Sequence, residues 1–319
     1  MSFEGLLNIK KAISTLNPSH VREMTEYPLQ IALHAPDTGA FERLEDFFLR
    51  ELTLERRRAS ALALTRVGVP GYAQTPGQSV QVSSARFDLS VYDAGMLAPS
   101  SGLIFHPERA ERFPGEVLAR QPDLGVALAR TFLPFRRPYV DSVISKTCKE
   151  NTLFSLATAL PDIVPSLIEL PWAIAEFASD TAFLTMNQVR MAFLIAGASD
   201  REVGYTHQKT EIATVIGSAF GWRALARQAV GKIPFGGGLI AKAAVAYAGT
   251  KVLGLSLDHY YGIGYTYSRQ ERERLYDEAL QQGKAVASKI LHFLRPDIAA
   301  KLARREHRGG PSGQTVPGN

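Results

Sequence analysis

Two patterns of apolar and polar positions divide this chain. Over residues 1–126 short apolar runs alternate with stretches of helical period, which predicts a small α/β unit. A helix is expected near 3–16, a strand at LQIAL (29–33), and a helix near 40–58 carrying ERRRAS. Strands are expected within ALALTRVGVP (61–70), VQVSSARFDLSVYDAG (80–95) and GLIF (102–105). From 127 to 294 the strand signals stop. The remaining pattern is helical and is broken by Pro and Gly at ALPDIVPSLIELP, GASDREVGY and GKIPFGGG. Residues 295–319 form a basic helix end, KLARREHR, and a Gly/Pro-rich tail. The expected fold is α+β overall: a small, P-loop-like α/β domain over 1–126, then a mostly helical domain over 127–294. The change of grammar lies close to PFRRP (134–138).

The segment LQIALHAPDTGAFERL holds the first candidate chemistry. Its run of strand, five intervening residues, glycine and helix has the rhythm of the phosphate-binding loop G-x-x-x-x-G-K-[S/T]. In a working loop the first glycine lets backbone N–H groups face the phosphates, the lysine meets the terminal phosphates, and the hydroxyl holds magnesium. Here His34 stands at the first glycine position and Gly39 at the second. Ala40 replaces the lysine and Phe41 the hydroxyl. Chance spacing accounts for one retained glycine equally well. A helix N-terminus remains as a weak anion site.

Asp93, at the end of LSVYD, is the candidate magnesium-coordinating aspartate, although it is followed by D-x-G and not D-x-x-G. The guanine-reading N-K-x-D is missing after GLIF, where the chain runs HPER. These positions describe a GTPase-like scaffold without its working residues. No cofactor is expected, with GTP and magnesium as the alternative. A second glycine-rich stretch, GKIPFGGGLIAK (231–242), has glycines where Lys and Ser/Thr belong and follows a helical pattern, so it reads as a helix break.

Composition narrows the classes further. Of the 319 residues 45% are hydrophobic and 21% charged, an ordinary balance for a folded protein. The net charge of +5 suits solubility or an anionic surface, and no nucleic-acid partner is expected. The single cysteine, Cys148, excludes an internal disulfide; Lys146 and Lys149 nearby would favour its thiolate, but no catalytic pattern surrounds it. The seven histidines lack metal-ligand spacing. Asp162, Glu169, Glu176 and Asp180 are expected to pair with basic side chains inside or along the bundle. The apolar stretches 152–178 and 237–257 are each interrupted by charges that cost about 2.5–3.5 kcal/mol apiece at a bilayer centre. A buried helix or a hairpin seated partly in lipid fits them better than an isolated span. The N-terminus lacks a secretory signal pattern, so a cytoplasmic location is the default expectation.

Three segments in order carry a resemblance: ENTLFSLATALPDIVPSL, DTAFLTMNQVRMAFLIAGASD, and GKIPFGGGLIAKAAVAYAGTKVLGLSLDHYY. Together they resemble the helical domain of unknown function of YcjF-like proteins, over roughly 127–282. Gln188, Val189, Met191, Ile233, Pro234, Gly249, Thr250 and Gly254 stand at its recurring positions. In bacteria that domain commonly follows a GTPase domain and is often membrane-associated. The resemblance therefore implies a degenerate GTPase-like domain joined to this helical one, cytoplasmic and peripheral or integral at the inner membrane. It implies a non-catalytic scaffold or membrane-surface adaptor whose helical half meets a protein partner or a membrane. An atypical nucleotide-binding protein and an integral helical bundle are the alternatives. The family supplies no reaction, and the sequence does not give the oligomeric state.

Overall fold

The computed structural model describes residues 13, 16–67, 87–159, 180–214, 238–294 and 296. The protein is α+β, with a small four-stranded parallel sheet in a mostly helical chain. Most of the helix expected at 3–16, the 80–86 part of a strand, Asp162, Glu169, Glu176, Ile233, Pro234 and nearly all of 295–319 lie outside the described residues. By packing, the chain falls into two compact units. One is drawn from Asn17–Val143 and Phe193–His207. The other comes from the described parts of Met1–Leu16, Ile144–Ala192 and Gln208–Asn319.

The first unit opens with α1 (Pro18–Thr25), which starts where Asn17 accepts the Ser19 N–H at 3.0 Å and Pro18 sets the first turn. Strand β1 (Ile31–His34) leads into α2 (Thr38–Leu49). The single helix expected over 40–58 is in fact two. Glu51 takes a left-handed φ of 62°, and Thr53 caps a new helix, α3 (Leu54–Ala61). Strands β2 (Leu64–Arg66), β3 (Leu89–Asp93) and β4 (Leu103–Phe105) complete the sheet in the order β2-β1-β3-β4, all parallel. Helices α4 (Phe113–Arg120) and α5 (Gly125–Thr131) follow.

Strand alternation puts Ile31, Leu33, Leu89, Val91, Leu103 and Phe105 on one face of the sheet. That face packs on Phe41, Leu44, Phe47 and Phe48 of α2 and on Phe113, Phe132 and Phe135. Phe47, Phe48, Phe105, Phe113, Phe132 and Phe135 form an aromatic cluster whose paired ring centroids lie 4.8–6.5 Å apart, mostly edge to face. Each such pair contributes about 0.5–1.5 kcal/mol beyond its buried area. The opposite face carries Thr65, Ala32, His34, Ser90, Tyr92 and Ile104.

The second unit is helical. Helix α6 (Leu133–Ala157) and α7 (Asp180–Ala198) contribute Ile144–Ala157 and Asp180–Ala192 to it, and α8 (Gly238–Ile263) and α9 (Arg269–Leu294) form a hairpin. The hairpin packs through small residues. Ala279, Gly283 and Ala287 recur every four positions on α9, with Leu291 one turn beyond, and all four are buried. The outer face of α9 is polar and exposed, with Arg269, Glu273, Arg274, Glu278, Lys284 and Lys289.

Candidate functional site

In an open parallel sheet, ligands sit beyond the carboxyl ends of the strands where the winding direction reverses. Here the reversal falls between β1 and β3, because β2 pairs on one side of β1 and β3 on the other. The carboxyl ends at that point are His34 and Asp93, and the next segment is the candidate loop.

Asp37 governs the loop. Its extended backbone makes it the N-cap of α2, and its Oδ1 accepts the Ala40 N–H at 2.8 Å while its carbonyl accepts the Phe41 N–H at 3.2 Å. A Cβ on Gly39 would lie 3.4 Å from the Asp37 carboxylate and 3.8 Å from the Arg43 guanidinium. The partial positive end of α2 is therefore already met by a carboxylate of the chain itself. A second anion placed about 4 Å from that carboxylate would be repelled by about 4 kcal/mol at a surface-like dielectric of about 20. The helix terminus offers about 0.3–1 kcal/mol to an anion, and at most about 2. The Asp37 carboxylate therefore opposes an anion at this terminus more strongly than the helix end attracts one, with the Arg43 guanidinium as the nearby opposing charge.

The remaining loop positions face inward or sideways. Ala40 is fully buried and Phe41 is 3% exposed in the sheet–helix core. Both sit there because α2 turns its apolar stripe onto β1, which brings Ala40, Phe41 and Leu44 round to one side. His34 is the last residue of β1. Its ring stacks on Tyr92, its register partner on β3, with centroids 4.2 Å apart and planes 4° from parallel. Partial burial pushes its pKa below the ordinary histidine value, which favours the neutral imidazole. Tyr92 can lie flat only because Gly102 has no side chain: a Cβ there would meet the ring at 2.7 Å.

Asp93 is 7% exposed at the end of β3. Its Oδ2 accepts the Gly95 N–H at 3.4 Å and its carbonyl the Met96 N–H at 2.9 Å. Oδ1 is buried and accepts no hydrogen bond, with Arg43 Nη2 3.9 Å away. The structure thus gathers Gly39, Arg43 and Asp93 at the sheet end and sends Phe41 into the core. His34 points to the opposite sheet face from Asp93, as the alternation of β1 and β3 requires. Sequence reasoning missed Tyr92, Arg43 and the capping role of Asp37. An aspartate just before a helical pattern was the available signal for the last of these. Among the described residues no group of three or more His, Cys, Asp or Glu side chains is arranged to hold a metal ion.

The helical unit has its own polar cluster. Thr250 Oγ1 accepts from Asn151 at 2.8 Å and from Gln188 at 3.1 Å, and donates to the Ala246 carbonyl at 2.8 Å. Asn187 donates to Asn151 Oδ1 at 2.9 Å and to Glu150 at 3.0 Å. Asn151 and Thr250 are completely buried, so this network ties α6, α7 and α8 in one register. Cys148 lies beside it, its thiol 3.6 Å from the Tyr247 carbonyl. Burial pushes that thiol up to about 12, against a smaller opposing effect of Lys251. This is an inert thiol.

Comparison with protein-family models, with curated proteins and with solved structures finds no match to this chain.

Proposed function

We propose that this protein is a non-catalytic, GTPase-derived scaffold that works as an adaptor at a membrane surface. The observation that carries the reading is the Asp37 cap. The place where a nucleotide phosphate would sit is held by the chain's own carboxylate, and the positions that would bring lysine and hydroxyl to it are packed as Ala40 and Phe41. The adaptor role falls to the helical unit. Its helix α8 is long and apolar enough to cross a membrane by length and composition, yet 61% of its most apolar window is buried within the protein. The charged outer face of α9 further supports a bundle resting at a surface over one embedded in lipid.

One observation favours a second reading, an atypical nucleotide-binding protein. Asp93 keeps a buried oxygen without a hydrogen-bond donor at the strand end where nucleotides bind in such sheets. Equilibrium titration of the purified chain with fluorescent GTP and ATP analogues, with and without magnesium, separates the two. The scaffold reading expects no saturable binding up to about 100 µM, which corresponds to affinity weaker than about 5.5 kcal/mol. Magnesium-dependent binding in the low micromolar range would overturn it. Carbonate extraction of membranes checks the surface assignment: release supports an adaptor, and retention in the pellet means an integral bundle.

A further inference from the structure

The turn joining α8 to α9 is closed by a cap at each end and is exposed between them. Helix α8 closes with a left-handed cap, in which the Gly264 N–H donates to the Tyr260 carbonyl at 2.8 Å with φ at +82°. Helix α9 opens with a capping box: the Ser268 N–H donates to Glu271 at 2.8 Å, and the Glu271 N–H returns to Ser268 Oγ at 3.3 Å. Across the turn the rings of His259 on α8 and Tyr267 stack with centroids 4.0 Å apart, tying its base. What stands out from that base is apolar or aromatic. Tyr260 is 39% exposed, Ile263 59% and Tyr265 75%. A Cβ built on Gly262 or Gly264 meets nothing within 4 Å. From His259 to Ser268 the stretch HYYGIGYTYS has no Asp, Glu, Lys or Arg.

We infer that this turn is the part of the protein that enters a lipid bilayer, with Tyr260, Ile263 and Tyr265 seated at the boundary of headgroups and acyl chains. The inference rests on the membrane-surface reading above and assigns it a contact. Three arguments select lipid as the occupant. Tyrosine has an apolar ring and a polar tip, the chemistry that settles at a membrane–water boundary, and isoleucine supplies the purely apolar anchor between the tyrosines. The patch is also too small for a folded partner. At about 200 Å² per fully exposed ring residue, the three side chains offer on the order of 300 Å², against about 800 Å² per partner in a stable protein interface. Finally, the patch is an exposed turn at the end of a hairpin, with open space around Gly262 and Gly264. A bilayer accepts such a shape without a matching groove, whereas a protein partner must provide one.

The test uses the full chain and vesicles of mixed phosphatidylcholine and phosphatidylglycerol. Wild type is expected to co-sediment with the vesicles, and the double variant Ile263→Ser/Tyr265→Ser to lose roughly tenfold or more of that partition. Both positions are exposed, so its far-UV circular dichroism and melting midpoint are expected to match wild type. As a second readout, Tyr265→Trp is expected to show a blue-shifted difference emission on adding vesicles. If wild type binds and the double variant binds equally, or the difference emission of Tyr265→Trp stays fixed, the turn is not the contact while the membrane-surface reading stands. If wild type does not bind vesicles at all, both fall.

Discussion

Restoring a phosphate loop's hydroxyl in this chain is expected to damage the fold before it creates a site. The perturbation is Phe41→Thr, which puts a hydroxyl at the position where working phosphate loops hold magnesium. Phe41 is 3% exposed and belongs to the core formed by β1, β3, β4 and α2. Its ring also lies under the Arg66 guanidinium, 5.5 Å from the ring centroid. Removing a buried phenylalanine ring costs about 3–5 kcal/mol. The threonine hydroxyl, turned into apolar surroundings, adds about 1–3 kcal/mol unless the helix rotates to expose it. Even with the hydroxyl exposed, the loss of about 3–5 kcal/mol is a large part of the roughly 5–15 kcal/mol that holds a domain folded.

At about 3–5 °C per kcal/mol for a unit of this size, the melting midpoint of the sheet unit should fall by roughly 10–20 °C. Thermal unfolding of wild type and variant, followed by far-UV circular dichroism, measures it. A midpoint within about 2 °C of wild type would refute the reasoning, because Phe41 would then contribute nothing as a core residue. So would magnesium-dependent GTP binding by the variant at wild-type stability. That outcome would mean the residue already points at a competent site.

Gly283→Ala should destabilise the hairpin, although alanine favours a helix by about 1 kcal/mol over glycine. The new Cβ would meet the Ala244 carbonyl oxygen at 2.8 Å, and α8 backbone cannot yield cheaply, so a net loss of about 1–2 kcal/mol is expected in urea unfolding. Cys148 should resist an aromatic disulfide reagent at pH 8 in the native protein and react fully in denaturant, because its thiol is buried and its pKa is raised to about 12; rapid native labelling would contradict this. The hydrogen bonds from Ser268 hold Glu271 below the usual carboxylate range. A depressed folded pKa stabilises fully above the unfolded value and is lost as pH falls through the folded one. The capping box at α9 should therefore weaken only in acid, and Glu271→Gln should flatten that limb of the stability profile.

What the sequence disclosed depended on the range of the interaction. Strand β1 and helix α2 were legible because an apolar run and an apolar stripe are local patterns. The capping box S-R-Q-E (268–271) is an equally local pattern, but it was overlooked in the sequence and enters only with the structure. The break between α2 and α3 was not legible, because Glu51 at φ 62° is held by its surroundings and carries no glycine or asparagine signal. Helix α1 was overlooked, although Asn17 and Pro18 mark its start. The network of Asn151, Asn187, Gln188 and Thr250 depends on the register of three helices far apart in the chain, which no local pattern encodes. Two of its members, Gln188 and Thr250, stand at positions picked out by the resemblance of the helical half, and the structure joins them by a hydrogen bond.

The loop's three departures from the phosphate-binding pattern, His34, Ala40 and Phe41, are more informative together, and with Asp37, than singly. Ala40 and Phe41 follow one another on the inward side of α2, so a lysine at the first would have to leave the core that the second anchors. Asp37 caps the helix terminus, and its carboxylate would repel a phosphate brought there by a lysine at position 40. His34, which replaces the first glycine, is committed to Tyr92 on the far face of the sheet, and that stack depends in turn on Gly102. Each of these side chains is held by a contact elsewhere in the fold, so exchanging any one of them for the phosphate-loop residue is expected to disturb packing. At this sheet end Asp93 keeps a buried oxygen with no hydrogen-bond donor, with the half-exposed Arg43 guanidinium 3.9 Å away. The sheet end as it stands is held by the packing and capping contacts of this chain's own residues.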